Sequence, residues 1–189
     1  MIITAIIPAR AGSKRLKNKN IYPVWGKPML FWAIDACKRS KYEIDVWVSS
    51  DSDEILAVSN ELGAKVHKRS LHNSSDSAFK QSAIREAAVH IDSIKGKSDI
   101  YISLQANSPT IESHHLDDAI DLLLEKNKDE IFSVDNHLMQ NAAFRVFRGS
   151  YVQQQDLSTC CGVIVADLHD VHTIEDIESL EYSLNRRQP

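Results

Sequence analysis

Cysteine is scarce in this 189-residue chain: Cys37, Cys160 and Cys161 are odd in number, and two are adjacent. That excludes a disulfide framework and a spaced-cysteine zinc site, and it fits a reducing cytoplasm. Proline and glycine are few, five and six residues, and charged residues make up 25%, so collagen-like, low-complexity and disordered classes fall away. No apolar run approaches the roughly 20 residues that span a bilayer. Met1 leads straight into an apolar stretch with no basic region ahead of it, so no secretory leader is expected. The two common phosphate-binding glycine patterns, G-x-x-x-x-G-K-[ST] and G-x-G-x-x-G, are also missing.

Acidic residues are scarce in one place. Residues 1–41 hold nine Lys/Arg and a single acid, Asp35, a net of +8; since the whole chain is −4, the other 148 residues carry −12. A basic start on an acidic body points to a localised anion site rather than a nucleic-acid surface.

The order of elements follows from hydrophobic pattern and end signals. Ile2 to Ile7 is a continuous apolar run, as in a strand buried on both faces, and it ends at Pro8. Helices are expected at 28–40, 53–62, 77–91, 113–126 and 174–186, with Ser50-Asp51-Ser52 and Thr173 as caps and Gly63 as a stop. Strands are expected at 44–48, 64–67, 99–104, 131–134 and 163–166, with a hairpin in 135–160. Strands alternating with helices predict an α/β fold, a Rossmann-like, mostly parallel sheet with helices on both faces. Ligands of such sheets sit outside the carboxyl ends of the strands. Four loops lie there: after Pro8, after Val48, after Leu104 and after Ala166.

The first loop carries the strongest chemical signal. Pro8-Ala9-Arg10-Ala11-Gly12-Ser13-Lys14-Arg15-Leu16-Lys17-Asn18-Lys19-Asn20 follows a buried strand directly and holds five of the nine cations. Gly12 is expected to let the loop fold tightly around a ligand, backbone N–H groups to form an anion nest, and Arg10 and Lys19 to neutralise phosphate oxygens. Adjacent His114 and His115 lack the spacing of a metal pair on a helix. Asp51 is read equally as a helix cap and as a ligand.

The string IIPARAGSKRLKNKNI (6–21 with its leading strand) resembles the opening signature of the acylneuraminate cytidylyltransferases. The likeness runs on through VWGKPMLFWAI (24–34), VSSDSDEI (48–55), ELGAKVHKR (61–69), SDSA (75–78) and LQANSP (104–109), and returns at HTIEDIESLE (172–181). Kdo-activating enzymes of the same group carry an acidic residue in the third loop where this chain has Gln105 to Pro109. The resemblance implies one nucleotide-diphospho-sugar transferase-type domain over 1–189, with 136–160 as a shortened dimerisation hairpin, a homodimer, and no nucleic-acid or membrane partner. It implies transfer of CMP from CTP to an acidic keto-sugar, with pyrophosphate leaving and Mg2+ as cofactor. Ala9, Arg10, Ala11, Gly12, Ser13, Lys19 and Asn20 would then hold the triphosphate and nucleotide, Arg69 and Ala78 the cytosine, and Gln105 the sugar. The metal would fall to Asp170 and His172. His172 stands where the family has a second aspartate, and imidazole suits magnesium poorly. Two alternatives stay open on the residues: a transferase with another nucleotide or acceptor, and a non-catalytic nucleotide-binding relative.

Overall fold

The computed structural model describes residues 1–70 and 80–183. Strand β1 (Ile3–Pro8) is an interior strand, third in a seven-stranded sheet. Its run is apolar throughout because both faces are covered: Ile3, Ala5 and Ile7 enter one core and Ile6 another. A short 3-10 turn (Lys19–Ile21) follows, then the two-residue strands β2 (Pro23–Val24) and β3 (Lys27–Pro28), and helix α1 (Met29–Lys38). Next come β4 (Ile44–Ser50), α2 (Asp53–Glu61), β5 (Lys65–Lys68), α3 (Lys80–Lys95), β6 (Ile100–Leu104) and α4 (Ser113–Glu125). The chain continues with β7 (Glu130–Val134), β8 (Gln140–Arg148), β9 (Cys161–Val165) and α5 (Ile174–Ser183).

Local chemistry sets the helix ends. The Ser52 hydroxyl accepts from Ile55 N, and Asp53 and Glu54 sit in the first turn of α2, where the helix dipole favours acids. Gly63, at φ +75°, takes the left-handed position just past its end. At α5, Thr173 Oγ1 accepts from Asp176 N while Asp176 Oδ2 accepts from Thr173 N, a reciprocal cap.

The sheet order is β5-β4-β1-β6-β8-β7-β9. Pairs β4–β5, β1–β4, β1–β6 and β7–β9 are parallel, and β8 runs antiparallel to both of its neighbours. Helices α1, α2 and α4 pack on one face through Leu30, Ile34, Ile55, Leu116, Ile120 and Leu123. Helix α3 covers the other face with Ile84, Ala87, Ala88 and Ile91 against Ile6, Trp47, Tyr101 and Phe147. Each fully buried Ile, Leu or Phe contributes about 1.5–3 kcal/mol. Helices therefore lie on both faces of a mostly parallel sheet, as the sequence pattern predicts.

Residues 136–160, expected as a hairpin extension, divide differently. Strand β8 inserts between β6 and β7, so the hairpin lies inside the central sheet rather than beside it. Asp135 makes the reversal short: its Oδ1 accepts from His137 N and Met139 N, which closes the turn within five residues. After β8 the chain presses against the segment before β6. A Cβ on Gly149 would lie 1.9 Å from the Ser98 carbonyl oxygen, so only glycine fits there.

The last helix reaches back to the start of the chain. Ile177 and Leu180 of α5 pack with Val171 onto Leu16, Val24 and Met29. Glu181 accepts from Trp25 N at 2.7 Å in the β2–β3 turn, where Trp25 (φ +49°) packs edge-on against Trp32. Residues 166–173 must therefore cross the carboxyl end of the sheet from the edge strand β9 toward β1.

Candidate active site at the carboxyl end of the sheet

Main-chain bonds seat the first loop. Ala9 N donates to the Ser49 carbonyl at 2.9 Å, and Ala11 N donates to Asp51 Oδ1 at 2.9 Å. The buried Asn20 side chain donates to the Arg10 carbonyl at 2.8 Å, tying the two ends of the loop together. Asp51 thus anchors the basic loop, whereas Ser52 caps the helix; the sequence alone left that choice open. Gly12 has an ordinary φ, and a Cβ there would meet nothing within 4 Å. The tight left-handed turn falls instead at Asn18, at φ +54°. Gly12 leaves open space at the exposed crest of the loop rather than bending it.

The second loop supplies Ser49 and Asp51, and Arg69, just past the end of β5 and outside the four predicted loops, packs against it. Arg69 is buried at 6% exposure, its Nη2 donates to the Ser49 carbonyl at 2.7 Å, and its backbone N donates to Ser50 O at 2.8 Å. The Ser49 carbonyl therefore accepts from both the basic loop and Arg69. Burial pulls the Arg69 guanidinium below its usual value, Asp51 and Glu86 oppose that, and Arg10 adds to it. Lys19 is lowered likewise, first by burial, with Arg15 and Arg10 adding to the effect and Asp170 and Asp176 opposing it. Arg10, Lys19 and Arg69 thus share one electrostatic neighbourhood, which an anion of several charges would relieve.

The far side of the site comes from the third and fourth loops. Lys19 Nζ donates to the Val171 carbonyl at 3.2 Å, which brings the crossing segment against the basic loop. Asn107 Nδ2 donates to Asp170 Oδ1 and, at 3.0 Å, to the Val171 carbonyl, while Val171 N returns a bond to the Asn107 carbonyl. His169 N donates to Thr110 Oγ1 at 2.9 Å. Asp170 Oδ2 lies 3.3 Å from His172 Nε2. Asp176 is taken up by capping: it accepts from the backbone N–H of His172 and of Thr173, and the His172 bond is the main cause holding its carboxyl below the usual value.

All four predicted loops meet. Ala9, Arg10, Ala11, Gly12, Ser13, Lys19, Asn20 and Arg69 lie along one side, and Asp170 and His172 face them through Lys19. Gln105 lies on the third loop, its backbone N bonded to the Ala143 carbonyl within β8. Ala78 falls outside the described residues. Asn107 and Ser49 are contributors that residue pattern alone misses; their one signal is position, each at or just after a strand's carboxyl end. The His114 and His115 rings lie 4.0 Å apart rather than diverging, because His115 Nδ1 turns back to accept from Glu112 N. Among the described residues no group of three or more His, Cys, Asp or Glu is arranged to hold a metal, and no helix is long and apolar enough to cross a membrane.

A mostly parallel α/β sheet whose first loop gathers cations at its carboxyl end defines a nucleotide-handling class of protein. The particular family follows from comparison: the chain matches the cytidylyltransferase family over residues 4–182 and belongs to it. Over 132 residues it is 39% identical to N-acylneuraminate cytidylyltransferase A of Danio rerio, covering 70% of this chain and 30% of that protein. Over 131 residues it is 31% identical to pseudaminic acid cytidylyltransferase of Campylobacter jejuni subsp. jejuni serotype O:2, covering 68% of this chain and 56% of that one. The chain thus spans about a third to a half of the length of these relatives. In fold it is similar to a CMP:2-keto-3-deoxy-manno-octonic acid synthetase solved with CTP, at TM-score 0.80 and 15% identity over the whole of both chains.

Proposed function

We propose that the chain transfers CMP from CTP to an acidic keto-sugar of the nonulosonic type and releases pyrophosphate. One observation carries the reading: Arg10, Lys19 and Arg69 converge at the end of β1 in a member of the cytidylyltransferase family, with Asp170 directly across from Lys19. Both named relatives act on sugars of this type by their names. In this reading the sugar's anomeric hydroxyl attacks the α-phosphorus and pyrophosphate departs in line. Arg10 and Lys19 neutralise the charge that builds on the phosphate oxygens; the Asn20 bond to the Arg10 carbonyl and the Lys19 bond to the Val171 carbonyl mean little reorganisation during the reaction. Arg69 contacts the nucleotide base, with Ala78 as its proposed partner, and Gln105 the acceptor.

Magnesium fits the donor set in a limited way. Among the described residues the site offers one carboxylate, Asp170, steered by Asn107, with an imidazole beside it; that is enough for magnesium only when substrate phosphates and waters complete the shell. A bound magnesium would stabilise charge on the phosphates. We also propose that the protein acts in the cytoplasm and pairs with a second copy. Exposed Leu138, Met139, Leu157, Val163 and Val165, on 136–160 and the edge strand, support the pairing.

The test is pyrophosphate release from CTP, magnesium and a panel of nonulosonic acids. Release with at least one acid is expected. No release with any acid from a folded protein that still binds CTP would leave the second reading, a nucleotide-binding relative without turnover, which the single metal-binding carboxylate favours.

A further inference from the structure

Strands β4 and β5 run parallel with Ser49 opposite His67, and Arg69 follows two residues on, toward the same side. His67 is 5% exposed, and its Nδ1 lies 3.0 Å from Ser49 Oγ. That same hydroxyl oxygen receives Arg69 Nε across a longer 3.4 Å, while the Ser49 carbonyl takes Nη2 at 2.7 Å. One serine therefore meets the imidazole with its side chain and the guanidinium with side chain and backbone.

The donors order this chain. Arg Nε–H only donates, so Ser49 Oγ accepts on that side. Of the two groups on this hydroxyl only His67 Nδ1 can take its one hydrogen, which it does as a neutral imidazole with its proton on Nε2. A protonated His67 would turn Nδ1–H on the hydroxyl, take away its acceptor and place a second cation behind Arg69. The surroundings keep the ring neutral: burial and then the His90 ring, 4.8 Å away, push its imidazole below the usual value, Glu86 opposes this, and Arg69 adds to it.

We infer that His67 and Ser49 are positioning residues: the ordered chain His67–Ser49–Arg69 fixes the Arg69 guanidinium for the nucleotide base. This rests on the reading of Arg69 as a base contact. The orientation of a buried arginine is otherwise open to rotation about four side-chain bonds, and a guanidinium recognises a base edge only when its plane is set.

Calorimetric titration of CTP and of inorganic tripolyphosphate into the wild-type chain, His67→Leu, His67→Asn, Ser49→Ala and Arg69→Ala tests it. His67→Leu and Ser49→Ala are each expected to weaken CTP about tenfold and to leave tripolyphosphate within about twofold, the loss of roughly one hydrogen bond. His67→Asn keeps an acceptor on the γ-carbon and is expected to restore CTP binding. A folded His67→Leu protein with wild-type CTP affinity, beside an Arg69→Ala protein that has lost it, overturns the inference. If Arg69→Ala itself binds CTP normally, the base-contact reading falls and takes the inference with it. The 15N spectrum of the wild-type protein decides independently of how any variant folds: a proton on His67 Nε2 at pH 7 is expected, and one on Nδ1 overturns the chain.

Discussion

At the β1–β4–β5 end of the site the acceptors are main-chain carbonyls: Ala9 N and Arg69 Nη2 share that of Ser49, and the Asn20 side-chain amide donates to that of Arg10. At the other end Asp170 is held by the Asn107 side-chain amide and lies beside a half-exposed imidazole. The difference separates two tasks. Main-chain acceptors survive substitution of their own side chains and give a cradle for a polyanion. A carboxylate set by side chains is easily altered, and its neighbour His172 stands where the sequence resemblance implies a second aspartate. Nucleotide binding and turnover should thus be separable in this protein.

The sharpest way to break the cradle is Arg10→Ala, for which kcat/KM is expected to fall about 10²–10³-fold, with CTP affinity falling alongside in direct titration. Asp170→Asn acts on the other end: turnover should drop about 10–100-fold, whereas CTP binding measured without metal should move less than about twofold. Equal losses in both quantities would erase the distinction between the two ends. His172→Asp sharpens it in the opposite direction. It sets two carboxylates side by side, so the melting temperature should fall without magnesium and recover with it. The magnesium concentration for half-maximal rate should fall by about tenfold.

The smallest effect is one of pH. Lys19 loses its proton below the ordinary lysine value of 10.5, because burial disfavours its charge. Only the protonated form attracts phosphate, so CTP affinity should begin to decline at a lower pH than a free lysine would give. Lys19→Arg, whose guanidinium stays charged, should flatten that alkaline decline in titrations from neutral pH upward.

Much of this was readable where local chemistry and tertiary role agree. The apolar run at 3–7, the start of α2 after Ser50-Asp51-Ser52 and its stop at Gly63, and the cation-rich loop need little beyond periodicity and end signals. Other features depend on contacts made far along the chain. Strands β2 and β3 are two residues each, too short for a periodic pattern, and Trp25 at positive φ is held by Trp32 and Glu181. The place of β8 between β6 and β7 follows from a reversal that alternation alone cannot locate in the sheet order. Asp51 sits one position before the true cap, so sequence could not separate capping from anchoring the loop. Asn107 is one polar residue among several in its loop, and its hold on Asp170 exists only because α5 packs on Leu16 and Met29.

That crossing segment also sets an order in time. Lys19 Nζ reaches the carbonyl of Val171, 152 positions further along the chain. At a synthesis rate of about 5–20 residues per second, roughly 8–30 s separate the emergence of the two partners. During that interval β1, β4 and β5 can already close around Ser49 and present Arg10 and Arg69. A nascent chain would thus acquire its hold on polyanions before it acquires the carboxylate opposite them, and a nucleotide bound early would meet the last helix as it docks.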